Sequence, residues 1–91
     1  MMDRLIQLLK LIEKNDVIQD YEDDIIPAQH PDVIEAINLA EALLITNNGD
    51  VDWYSVDVLR AEGYAVFPLE KDRFGWLIGG IATQKGTISF G

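Results

Sequence analysis

Arg73-Phe-Gly-Trp-Leu-Ile-Gly-Gly-Ile-Ala-Thr-Gln-Lys-Gly-Thr-Ile-Ser-Phe-Gly91 reads as two β-strands joined by a glycine-containing turn. With Gln84-Lys85-Gly86 as a three-residue loop, a type I turn followed by glycine at the left-handed position, Thr83 pairs with Thr87, Ala82 with Ile88 and Gly80 with Phe90. That register gathers Phe74, Trp76, Ile78, Gly80, Ala82, Ile88 and Phe90 on one apolar face. Gly75, Leu77, Gly79, Ile81, Thr83, Thr87 and Ser89 occupy the other. A two-residue loop would move Ile88 and Phe90 into the second set and split the apolar face, so the longer loop is the preferred reading. Phe90 then covers the bare backbone of Gly80. On the second face Gly75 and Gly79 flank Leu77 and admit a close neighbour: a helix or another subunit in the plain reading, a ligand in the sharper one.

Working back from the hairpin, Glu70-Lys71-Asp72-Arg73 is a charged turn, and Tyr64 to Leu69 reads as a strand with Pro68 near its end or on an edge. Ser55 caps a short helix that runs through Glu62 and closes at Gly63. Between Ala42 and Thr46 the chain is readable as helix or strand. The preferred reading is a hairpin with Leu43 to Asn47 and Val51 to Tyr54 as strands and Asn48-Gly49 as its turn; the alternative extends the helix toward a Gly49 cap. Pro31-Asp32-Val33-Ile34-Glu35 opens a helix, with Asp32 and Glu35 at capping-box spacing and Val33, Ile37, Ala40 and Leu44 on its buried face. Ile25-Ile26-Pro27 ends any helix before it.

At the N-terminus, Leu5, Ile6, Leu8, Leu9, Leu11 and Ile12 follow Asp3, a candidate cap, in a helical pattern. These positions span roughly 220° of the helix, where a surface helix needs an apolar stripe of little more than about 100°. A helix so apolar in so small a protein calls for cover on two sides, and the simplest second cover is another copy. The expectation is a homodimer through the Leu5 to Ile12 helix. Together these elements make an α+β fold: one domain over residues 1–91, with an antiparallel sheet ending in a C-terminal β-hairpin and packed against two or three helices.

The 91 residues are 48% hydrophobic, enough for a modest core, and the net charge is -9. The charge is unevenly placed. Residues 1–14 and residues 63–91 each carry one net positive charge, whereas residues 15–62 hold twelve acids against Arg60 alone. Such a field repels nucleic acid and anionic membrane and draws in basic partners, and it also serves plain solubility. No cysteine is present, so a disulfide framework and a thiolate zinc site are excluded and a reducing compartment is compatible. Met1-Met2-Asp3-Arg4 lacks the pattern of a signal peptide and no apolar run suffices to span a bilayer, so the expected location is cytoplasmic.

Catalytic and cofactor chemistry leaves few marks. Gly80 to Thr87 superficially resembles a phosphate-binding loop, but lysine precedes glycine and no helix follows. His30, the single histidine, lies between Gln29 and Pro31 with no nucleophile implicated beside it, and reads as a solvated loop residue. Asp20, Glu22, Asp23 and Asp24 are oxygen ligands without EF-hand spacing, so no metal site is assigned. Asp50 and Asp52 are paired carboxylates on an exposed rim. No cofactor is expected, and the chain reads as a non-enzyme.

Residues Asp57 to Gly91, with Val-Leu-Arg-Ala-Glu-Gly-Tyr-Ala-Val-Phe-Pro, then Asp72-Arg-Phe-Gly-Trp-Leu-Ile-Gly-Gly-Ile, then Lys85-Gly-Thr-Ile-Ser-Phe-Gly, resemble small uncharacterised proteins of bacterial mobile elements, including integron gene cassettes. The resemblance covers the last third of the chain. It implies a compact α+β accessory protein and carries over no reaction and no site residue.

Two functional classes remain. One is a non-enzymatic interaction module presenting Asp20, Glu22, Asp23, Asp24, Asp50, Asp52 and Asp57 to a basic protein partner, with mimicry of nucleic acid as a variant. The other is a small-molecule-binding protein, less readily an enzyme, with Trp53, Tyr54 and Trp76 in a pocket wall; the same aromatics are equally suited to an ordinary core.

Overall fold

The fold, seen in a computed structural model, is described for residues 1–15, 30–73 and 75–89, with the backbone alone described at 68–72, 76, 77 and 89. Three helices precede three strands: α1 Met2–Lys14, α2 Pro31–Leu44, α3 Trp53–Ala61, β1 Ala65–Asp72, β2 Gly75–Ala82 and β3 Thr87–Ser89. The strands form an antiparallel sheet in the order β1-β2-β3. This is the α+β architecture expected from the sequence.

Each helix starts and stops for a local reason, though not always at the anticipated residue. Asp3 lies in the first turn of α1 and Met1 occupies the cap position without a side-chain bond. His30, expected to be a solvated loop residue, caps α2: its Nδ1 accepts the Asp32 N–H at 3.2 Å, and Pro31 takes the first helical position, where no N–H is needed. Asp52, not Ser55, caps α3, its carboxylate accepting the Ser55 N–H at 3.3 Å. Gly63, at φ 96°, ends α3 as anticipated. Its N–H donates to the Arg60 carbonyl and that of Tyr64 to the Leu59 carbonyl, each at 3.0 Å, and Leu59 and Tyr64 are both buried beside this closure.

The hairpin expected around Asn48-Gly49 is reduced to its turn. Leu44 falls on the buried stripe of α2 with Val33, Ala36 and Ala40, so its burial keeps the chain helical to that point. A single bridge, Ile45 to Val51, remains of the two strands. Gly49 takes the positive φ of 79° that such a turn requires, and Trp53 and Tyr54 belong to α3 instead of a strand.

The terminal hairpin also differs from expectation. Ala82 pairs with Thr87, Ile81 with Ile88 and Gly80 with Ser89, displacing the Thr83–Thr87, Ala82–Ile88 and Gly80–Phe90 pairs by one residue. Thr83 and Gly86 close a two-residue loop: the Thr83 N–H donates to the Gly86 carbonyl at 2.7 Å and the Gly86 N–H donates back at 3.3 Å. Thr83 Oγ1 reinforces the turn, accepting the Lys85 and Gly86 N–H groups at 3.2 Å each and donating to the Gly86 carbonyl at 2.8 Å. In this register Val66, Ile81 and Ile88 form one cross-strand row, all buried, while Phe67 in the next row is exposed. The expected single apolar face assumed unbroken alternation from Phe74 to Ala82. A register shift breaks it: Phe67 pairs with Gly80 but Pro68 with Ile78, leaving Gly79 as the extra residue of a bulge.

The core joins Leu5, Leu8, Leu9 and Ile12 of α1 to the buried stripe of α2, to Val56 and Leu59 of α3, and to the sheet row. Of the second-face glycines, Gly75 finds a specific neighbour in the α2–α3 turn. A Cβ on Gly75, at φ 115°, would collide with the backbone of Gly49, so Gly75 is required where that turn lies against the start of β2.

Candidate functional site

The described interior offers little chemistry. No charged side chain is buried among the described residues, and every buried side-chain nitrogen or oxygen among them has a hydrogen-bond partner. No group of three or more metal-ligand side chains is assembled among them either. Reactive and polar groups are therefore concentrated at the surface, and one place there combines acids with large exposed rings.

That place is the start of α3. The helix buries Val56 and Leu59, so its opposite face carries Trp53, Tyr54, Asp57, Arg60 and Ala61, all exposed. Asp57 is four residues after Trp53 and three after Tyr54, which places its position between theirs on the helix surface. The exposures, 46% for Trp53 and 80% for Tyr54, are high for side chains that bury large areas when they serve a core. Arg60 Nη1 lies 3.6 Å from Asp57 Oδ1 as the local countercharge, with both side chains at least half exposed. Such a pair is weak and exchangeable.

The sequence candidates distribute around this point unequally. Asp57 stands on the exposed face. Asp52 is engaged as the helix cap, and Asp50 is half-buried in the preceding loop, where its N–H donates to Thr46 Oγ1 at 3.2 Å and its carbonyl accepts the Thr46 N–H at 2.7 Å. Trp53 and Tyr54, candidate pocket aromatics, adjoin these acids on the surface. Asp20, Glu22, Asp23 and Asp24 lie outside the described residues, and the Trp76 side chain likewise. Phe67 was not a sequence candidate, yet it is 48% exposed on the outward face of β1 opposite Gly80; alternation around buried Val66 is the signal that points to it.

A second surface feature lies on α1. An open groove of about 300 Å³ is lined by Asp3, Ile6, Gln7, Lys10, Leu11 and Lys14. The α1 helix meets α2 through a bidentate pair in which Arg4 Nε and Nη2 donate to the two Glu35 oxygens at 2.8 and 3.0 Å. That hydrogen bonding holds the Glu35 carboxyl below the usual carboxylate range and raises Arg4. Lys10 pairs with Glu62 at 3.5 Å. No helix among the described residues is long and apolar enough to cross a membrane.

No family model, curated protein or solved structure matches the chain.

Proposed function

We propose that this chain is a non-enzymatic interaction module that presents the acidic and aromatic start of α3 to a basic protein partner. The observation that carries the reading is the exposure of Trp53 and Tyr54 on either side of Asp57. Exposed tryptophan and tyrosine are the side chains most often found at the energetic centre of protein interfaces. A ring beside a carboxylate suits a guanidinium or ammonium, which gains ring-face attraction and an ion pair at once. The net charge of -9 supplies the long-range attraction for such a partner and repels nucleic acid.

In this reading the protein acts in the cytoplasm as an accessory protein of the kind carried on bacterial mobile elements, following the resemblance of residues 57–91, and it self-associates through α1. The test is affinity capture from a lysate of the native host with the wild-type chain and with Tyr54→Ala as bait. A partner retained at low salt, released as salt rises and lost with Tyr54→Ala supports the module. Absence of any salt-weakened partner, or equal capture by both baits, counts against it.

A second reading, a small-molecule binder, is favoured by the groove on α1, whose volume suits a small ligand and whose walls include Ile6 and Leu11. Its walls contain neither Trp53 nor Tyr54.

A further inference from the structure

The α1 groove has a symmetry of its own. Its six lining residues form three pairs equidistant from a point between Leu8 and Leu9: Asp3 with Lys14, Ile6 with Leu11, and Gln7 with Lys10. We infer that a second copy of this chain closes the groove, with the two α1 helices antiparallel about a two-fold axis at that point. The inference rests on the self-association proposed above and adds its geometry.

An antiparallel pair centred there sets Asp3 of each copy level with Lys14 of the other, Ile6 level with Leu11, and Gln7 level with Lys10. Every groove residue then meets another groove residue, which is the self-complementarity that an isologous interface demands. A parallel pair would set Asp3 level with Asp3 and Lys14 level with Lys14, placing like charges together. Opposed helix dipoles favour the antiparallel arrangement further. Neither Asp3 nor Lys14 has an ion-pair partner among the described residues, whereas Arg4 is engaged with Glu35. Ile6 and Leu11 remain half-buried while Leu5, Leu8, Leu9 and Ile12 are spent on the chain's own core.

Charge also permits this face. Residues 1–14 are net positive in a chain of net charge -9, so two copies approach here without acid meeting acid. An α1 of 13 residues is only about 20 Å long. An interface confined to it falls short of the roughly 800 Å² per partner typical of stable complexes. The dimer is therefore weak, dependent on concentration and weakened by salt.

Sedimentation equilibrium of the whole chain from about 10 μM to about 1 mM tests this. The wild type is expected to dimerise across that range. Asp3→Lys alone and Lys14→Asp alone each convert two attractive pairs into repulsive ones and weaken the dimer roughly tenfold or more. The double variant Asp3→Lys with Lys14→Asp restores wild-type association, because only this register brings those two positions together. Circular dichroism of each variant confirms that the exposed substitutions leave the helices formed. A wild type that stays monomeric throughout, including one whose groove instead takes up an apolar dye, overturns both self-association and its geometry. A dimer indifferent to the single reversals, or one the double variant fails to restore, overturns the antiparallel register while self-association stands. Trp53 and Tyr54 are unchanged in all these variants, so binding of a basic partner is scored independently.

Discussion

The carboxylate of Glu13, near the end of α1, accepts the Tyr64 hydroxyl at 2.8 Å through one oxygen and the Gln84 N–H at 2.9 Å through the other. One side chain thereby joins the first helix, the residue that leads into β1 and the turn of the terminal hairpin. Tyr64 is 4% exposed, so its hydroxyl needs this partner.

Burial first, and the hydrogen bond and charge of Glu13 next, push the Tyr64 phenol above the ordinary tyrosine range. The folded chain thus holds this proton more tightly than the unfolded chain. The resulting stabilisation is complete below about pH 10, the ordinary tyrosine value, and is lost as pH rises from there toward the higher folded-state value. Urea unfolding is expected to show wild-type stability declining above about pH 10, with a flatter profile for Tyr64→Phe. At neutral pH that variant should be less stable by about 1–2 kcal/mol, since the Glu13 acceptor loses its donor.

Glu35 behaves with the opposite sign. Its hydrogen bonds from Arg4 lower its proton affinity in the folded state, so their contribution is present above the ordinary carboxylate range and lost as pH falls through the depressed folded value. Glu35→Gln should flatten the acid limb of a stability profile, and added salt should diminish the difference, because both side chains are well exposed.

Gly75 and Gly63 separate backbone strain from collision. Both have positive φ, but a Cβ on Gly63 would meet only Gln84 Nε2, at 3.9 Å, whereas on Gly75 it would strike the Gly49 backbone. Gly63→Ala should cost about 1–2 kcal/mol, the conformational term alone. Gly75→Ala should cost roughly 3 kcal/mol or more, because the α2–α3 turn must move. Thermal unfolding of the two variants measures the contrast.

The His30 cap is testable by replacement. His30→Ala removes the acceptor for the Asp32 N–H and should destabilise by about 1 kcal/mol, while His30→Asp should recover most of that loss by supplying a preferred cap. Chemical denaturation of both variants at neutral pH decides it.

What could be read from the sequence was local. The apolar periodicity of Leu5 to Ile12 and of Val33 to Leu44, the glycine that closes α3, and the proximity of the two terminal strands all express short-range rules, and the architecture follows from them. The hairpin register turned on a loop of two residues instead of three, and the expected apolar face was lost to the bulge at Gly79, which interrupts the alternation on which that face was built. Trp53 and Tyr54 favour strands by side-chain type, yet Asp52 in front of them can cap, and the capped helix is what forms. The Glu13–Tyr64 bond joins residues 51 positions apart and has no sequence signature. At the candidate surface, the residue types were legible, but their joint exposure on one face of α3 was not, because it depends on which side Val56 and Leu59 bury.

Calorimetric titration of an arginine-rich peptide into the wild type and into Tyr54→Ala, each at about 50 mM and about 200 mM salt, bears most directly on the α3 surface. Tyr54 is 80% exposed, so its loss should leave the fold intact. The expected result is binding by the wild type that weakens as salt rises, and at least roughly tenfold weaker binding by Tyr54→Ala at the lower salt, as for an aromatic hot spot. Equal affinity for the two proteins, or binding by the wild type that ignores salt, would contradict an acidic and aromatic interaction surface at the start of α3.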